Sequence, residues 1–164
     1  MPIAPDPPED GEALRRLREQ LRRESNDGLT LVKELMENPI CALGIDETVP
    51  CVTVLWKRYA TSTQVRFIYE NILHLLQSRQ LKGVLGDNTA LPTIHAEDQR
   101  WISENWFPRA QAAGLKAGAS KRPRSYLGKL AVDAVQTGAP ASLELRSFDE
   151  LEDARDWLRS ILAC

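Results

Sequence analysis

Two short segments hold the side chains best placed to do chemistry. Asp87-Asn88-Thr89 puts a carboxylate, a carboxamide and a hydroxyl at the end of a predicted strand. Lys121-Arg122-Pro123-Arg124-Ser125 puts three cations and a hydroxyl just ahead of a predicted helix. Parallel α/β sheets bind ligands beyond the carboxyl ends of their strands, which is where both segments are expected. Together they form a candidate site for an anionic small ligand or an acidic protein partner, drawn by the cations and the helix N-terminus. The competing expectation is a short basic loop that is simply solvated. The basic loop also reads as a phosphorylation target at Ser125.

The remaining reactive residues point elsewhere. His74 falls in mid-helix and is expected to be partly buried, and His95 falls at a helix start and is expected to cap it. Neither has a Cys or second His at ligand spacing, and no GxSxG, Walker, GxGxxG or HExxH pattern occurs. No catalytic residue, metal ligand or cofactor site is therefore assigned. An unrecognised active site would fall around Asp87 and His95. The three cysteines, Cys41, Cys51 and Cys164, lack ligand spacing. Cys41 and Cys51 flank a turn centred near Asp46-Glu47 and are expected close together on neighbouring strands. They read as small buried apolar residues, with a bridge as the alternative. Trp101, Trp106 and Phe107 are expected mainly in the core. Trp106 and Phe107 point about 100° apart on a helix, so at least one of the aromatics is expected at the surface. Trp106 beside Arg109 is a candidate partner contact. Leu14, Leu17 and Leu21 form a second candidate contact stripe on a short charged segment, suited to the chain itself or to a second copy in a homodimer.

The elements that must position these residues follow from hydrophobic period and breaking residues. Residues 1–10 hold four prolines and three acids and read as disordered. Residues 29–37, 40–45 and 49–59 are β-prone and read as a meander or hairpin. Val65, Ile68, Tyr69, Ile72, Leu75 and Leu76 make one helix face, capped by Ser62 or Thr63. Residues 81–86, 115–120 and 143–148 read as strands. Helices are expected from about Ala96, at 126–136 with Leu127, Leu130, Ala131 and Ala134 inward, and after Ser147 or Asp149 with Leu151, Ala154, Trp157, Leu158 and Ile161 inward. Pro108 is expected to kink or break the helix carrying the tryptophans. The predicted class is α/β: a mixed sheet with antiparallel N-terminal strands, then parallel βαβαβα units, with helices packed on the sheet. Residues 1–28 are expected as a tail with a short amphipathic helix, and 29–164 as the domain.

The chain has 164 residues, 43% hydrophobic and 27% charged, with 23 acids against 21 bases. That length is enough for one buried core. The charge balance argues against nucleic-acid binding, which needs a basic face. No run approaches the roughly 20 apolar residues of a membrane helix. The acidic, Pro-rich start lacks a secretory signal, so a cytoplasmic location is expected.

The element order, together with Trp56, Asp87, the run Asp98-Gln99-Arg100-Trp101-Ile102, Trp106-Phe107-Pro108-Arg109-Ala110, Gly114-Leu115 and the stretch from Phe148 to Leu158, resembles the STAS domains of anti-sigma-factor antagonists. More specifically it is similar to small bacterial STAS-like proteins, over roughly residues 30–162. The resemblance implies a non-enzymatic signalling domain that works through a protein partner. It also implies a phospho-switch in an Asp-x-Ser/Thr pattern after a strand, matched here by Asp87-Asn88-Thr89. The predicted helix starts some eight residues later, which takes Thr89 away from a helix N-terminus. Related lipid-binding proteins imply the alternative of a small-molecule or lipid-binding module with a cavity between sheet and helices.

Overall fold

The computed structural model describes residues 32–163. The tail and the Leu14-Leu17-Leu21 stripe lie outside the described residues, as does Cys164. Six strands form one sheet in the order β1 to β6: β1 (Val32–Glu37), β2 (Cys41–Asp46), β3 (Cys51–Trp56), β4 (Gly83–Asp87), β5 (Ala117–Lys121) and β6 (Glu144–Phe148). The first three pair antiparallel and the rest parallel. The chain is thus an α/β protein with a mixed sheet, as its period changes predict.

Strands laid down in sequential order, with right-handed crossovers, put every crossover helix on one face. That face carries α1 (Ser62–Arg79), the α2–α3 unit (Ala96–Trp101 and Phe107–Ala112) and α4 (Tyr126–Thr137). Val52, Val54 and Trp56 of β3 meet Ile68, Ile72 and Leu76 of α1 and Trp106 and Phe107 in one buried cluster. α5 (Leu151–Leu162) follows the last strand and crosses to the opposite face, where Ala154 and Leu158 pack on Leu85, Ala117 and Ala119. The α1 entry is a full capping box: Gln64 N–H donates to the Thr61 hydroxyl, and Thr61 N–H donates to Gln64 Oε1.

Several expectations are corrected. Of the kink or break expected at Pro108, the break does not occur: helical backbone runs through it to Ala112. Residues Ile102–Trp106 widen into a π-helical turn, and Phe107 N–H reaches back to the Ile102 carbonyl. A proline ring crowds the carbonyl four residues before it and donates no bond there, and the wider turn just ahead of Pro108 absorbs both effects. Cys41 pairs across to Trp56 and Cys51 to Asp46, so the two sit at opposite ends of the hairpin, about 17 Å apart along the strands. They belong to clusters on opposite faces and are free thiols. Burial pushes each up to about 12. His74 is exposed, not partly buried. No described helix is long and apolar enough to cross a membrane.

A buried ion pair ties the sheet to α5. Asp46 is 1% exposed. Its Oδ1 accepts the Thr48 N–H at 2.9 Å and the Thr48 hydroxyl at 2.6 Å, and its Oδ2 accepts Arg155 Nε at 2.7 Å. Burial pushes the Asp46 carboxyl up, but the two Thr48 hydrogen bonds and the Arg155 guanidinium outweigh it and hold the group below the usual range.

Candidate functional site

The two segments singled out by their chemistry meet at the carboxyl end of the sheet. β4 ends at Asp87 and β5 at Lys121, and these residues are register partners. Asn88 N–H donates to the Lys121 carbonyl at 3.2 Å, and Arg124 N–H donates to the Thr89 carbonyl at 3.0 Å. The acidic and basic loops are therefore laced together by backbone, with α4 opening directly above them. Leu91 O would lie 2.5 Å from a Cβ at Gly128, and Pro123 Cβ 2.8 Å, so only glycine lets the first turn of α4 press on the loop after β4.

Within this cluster each candidate has a definite state. Thr89 is half-buried; its hydroxyl donates to Asp87 Oδ1 at 2.6 Å and its N–H to the same oxygen at 3.0 Å. Ser125 is the N-cap of α4: its Oγ accepts from Gly128 N–H at 2.9 Å and donates to the Pro92 carbonyl at 2.7 Å. Both capacities of the Ser125 hydroxyl are thus spent on holding the fold. Arg122 pairs with Asp149 at 2.8 Å, both groups being well exposed. Lys121 is half-buried and Arg124 exposed. Asn88 turns its side chain back over Gly86, and its amide makes no hydrogen bond to a described residue.

The other candidates lie elsewhere. Trp106 is only 2% exposed, and its indole N–H donates to the Tyr69 carbonyl at 2.7 Å, so it is a core residue and not a partner contact. The ring of Tyr69 meets it edge-on, with centroids 4.9 Å apart. Arg109 is spent internally: its fork holds the Glu70 carboxylate, its Nε donates to Asn105, and its guanidinium lies over Trp101. The half-buried aromatic of that set is Trp101, covered by Arg66 and Arg109 at 5.3 and 5.8 Å. His95 occupies the N-cap position of α2 without capping it. Its Nε2 faces the Tyr59 hydroxyl at 2.5 Å. Among the described residues no cluster of His, Cys, Asp and Glu could hold a metal ion.

The residues that the sequence reading misplaced are on α4. Leu127 and Leu130 do not point inward. They are 62% and 47% exposed, and Tyr126 beside them is 72% exposed. Ala134 is also exposed. The buried side is Gly128, Ala131, Val132 and Val135. That set has the spacing of a helix face as good as the leucine set. The signal that distinguishes them is steric: only the face bearing Gly128 can close onto the loop. The outcome is an exposed apolar strip adjoined in the chain by the exposed Arg122, Arg124 and Lys129.

In comparisons with known proteins, the chain matches no family model, no curated protein and no solved structure.

Proposed function

We propose that the chain is a non-enzymatic, STAS-like interaction domain of bacterial cytoplasmic signalling, and that the opening of α4 docks an acidic, amphipathic segment of a protein partner. One observation carries the reading: Tyr126, Leu127 and Leu130 stand exposed together within five residues, with the exposed Arg122, Arg124 and Lys129 adjoining them in the chain. Scattered apolar residues on a surface need no explanation, but a contiguous set marks an interaction site. The three side chains supply buried area on docking, and the cations select and steer a partner bearing carboxylates. The Arg122–Asp149 pair is exposed and therefore weak, so a partner carboxylate can replace Asp149 at little loss.

Thr89 offers a way to regulate this surface. Phosphorylation would remove its hydroxyl donation to Asp87 and set a second negative group beside that carboxylate. The loop that must then rearrange is bonded to Arg124, at the edge of the docking surface. The enzyme reading around Asp87 and His95 gains no support, since Asp87 Oδ1 is held by Thr89 and His95 Nε2 faces Tyr59.

The test places a photo-crosslinking residue at position 130 in the native host. The expected result is an adduct through an acidic peptide of one other protein, lost when Arg122→Glu and Arg124→Glu are combined. An absent adduct, or one indifferent to the charge reversal, overturns the proposal. An adduct to a second copy of the chain also overturns it, in favour of a homodimer.

A further inference from the structure

The sheet face beneath α1 and α4 changes character between β3 and β5. On β3 it carries Val54 and Trp56, which join the core. In register beside Val54, β4 carries Gly86 and β5 Ser120; beside Val52 they carry Val84 and Gly118, with the Leu145 side chain packed over Gly118. Side chains are missing where a buried sheet face ordinarily bears Val, Ile or Leu. The result is a cavity of about 110 Å³ between these strands and the helices, walled by Ile72, Phe107 and Val132.

Backbone geometry does not demand the glycine at 86. A Cβ there would meet its nearest neighbours, Asn88 Oδ1 and Val54 Cγ1, at 3.4 and 3.5 Å, ordinary contact distances. A larger residue would fill the space, yet the space is kept. Glycine within a strand often marks close approach by a ligand.

The cavity also has a polar side. Asn88, Ser120 and Gln136 line it, and no charged side chain does. Asn88 makes no side-chain hydrogen bond to a described residue. Ser120 Oγ is 3.4 Å from Ser147 Oγ, and Gln136 Nε2 donates to that same Ser147 hydroxyl at 2.8 Å. The Asn88 amide and the Gln136 carbonyl oxygen thus retain hydrogen-bonding capacity toward an occupant.

We infer that this cavity is a binding site for a small neutral amphiphile, an apolar body with a single hydrogen-bonding head such as an alcohol or primary amide. Size and charge set the class. An apolar cavity of about 150 Å³ accepts benzene, with six heavy atoms, so 110 Å³ suits about four or five. The uncharged lining disfavours carboxylates and ammonium groups, which would give up part of their hydration without a counter-charge. The head lies against Asn88 and Gln136 and the body over Gly86, with Leu145 as a side wall.

The site is independent of the α4 docking surface and is tested separately. The full chain is titrated with 1-butanol, butyrate and butylammonium, read by the backbone amide resonances of Gly86 and Gly118. The expected result is saturable shifts with 1-butanol, with a Kd of about 1 mM for five heavy atoms. Butyrate and butylammonium are expected to bind at least about tenfold more weakly. Gly86→Val fills the cavity and abolishes the shifts. Val132→Ile adds one methylene to the wall and weakens binding without endangering the fold. Linear, non-saturating shifts with 1-butanol overturn the inference, as does equal binding by the charged probes or by Val132→Ile.

Discussion

The phase of α4 decides whether the docking surface exists, and it can be measured without a partner. The perturbation is Leu127→Gln with Leu130→Gln, compared with Val135→Ala. Gln is nearly as good a helix former as Leu, so intrinsic propensity contributes little. Full burial of a leucine is worth about 1.5–3 kcal/mol. Leu130 leaves 47% of its surface in water and Leu127 leaves 62%. The surface they hide is worth roughly half of that figure or less for each, and the Gln stem keeps part of it covered. The double variant should therefore lose about 1 kcal/mol in all. Val135 is buried, and trimming it to Ala removes two methyl groups at about 0.8 kcal/mol each and adds a cavity contribution, for a total of about 2 kcal/mol.

The assay is urea unfolding followed by circular dichroism. With a slope of about 2 kcal/mol/M, the midpoints should fall by about 0.5 M for the double variant and about 1 M for Val135→Ala. The opposite phase gives the opposite pattern. Two glutamines driven into the core would lose roughly 3 kcal/mol each, and Val135→Ala would be close to neutral. A double variant that unfolds near 3 M below the parent, beside an unchanged Val135→Ala, would refute the reasoning and remove the docking surface with it.

Two further outcomes follow from the sheet and its thiols. Asp46→Ala should lose about 2–3 kcal/mol at neutral pH, because it removes the acceptor of both Thr48 hydrogen bonds and one of the two carboxylates on Arg155, which keeps Glu152. The Asp46 carboxyl is held below its usual range, so its stabilisation is complete above the unfolded value of about 3.9 and is lost as pH falls through the lower folded value. Asp46→Asn should accordingly differ from the parent by a constant amount at neutral pH and converge with it in acid; parallel curves down to the acid transition would contradict this. Cys41 and Cys51, buried and pushed up to about 12, should resist iodoacetamide at pH 8 in the folded chain and react in urea, as read by peptide mass mapping. Rapid labelling of either in the native state would contradict their placement.

The legible parts of the fold were those in which one face is unambiguous. α1 offers Val65, Ile68, Ile72 and Leu76 as a continuous stripe, and all four are buried, with Leu73 and Leu75 buried beside them. α5 is one-sided, with Ala154 and Leu158 inward. Both loops of the candidate site could be found because charge and turn residues collect where strands end, and strand order follows chain order. What was hidden depended on contacts between distant residues. The rotation of α4 is set by Leu91 and Pro123 against Gly128, contacts that periodicity cannot register. His95 turned to Tyr59 through a neighbour 36 residues away in the chain. Trp106 looked like a surface anchor beside Arg109, but Arg109 is held by Glu70 across the helix pair, and the indole faces Tyr69.

These departures share a physical cause. Hydrophobic patterning assumes that the largest apolar side chains take the interior. Here small residues take it at two neighbouring places: Gly86 and Gly118 on the sheet, and Gly128 and Ala131 on the helix above. Small residues on α4 bring its backbone close to the loop after β4, which turns Leu127 and Leu130 outward. Small residues on the sheet leave the floor below α4 low, and Val132 and Val135 do not reach far enough to fill it. The exposed strip and the cavity are thus two faces of one packing arrangement around a single helix. In each case apolar surface or volume that folding would ordinarily bury is held open, one outside α4 and one beneath it. A chain selected for stability alone would place leucine inward and side chains on the sheet floor, and would have neither feature. Both proposed sites therefore depend on how this one helix packs against the sheet and the loop after β4.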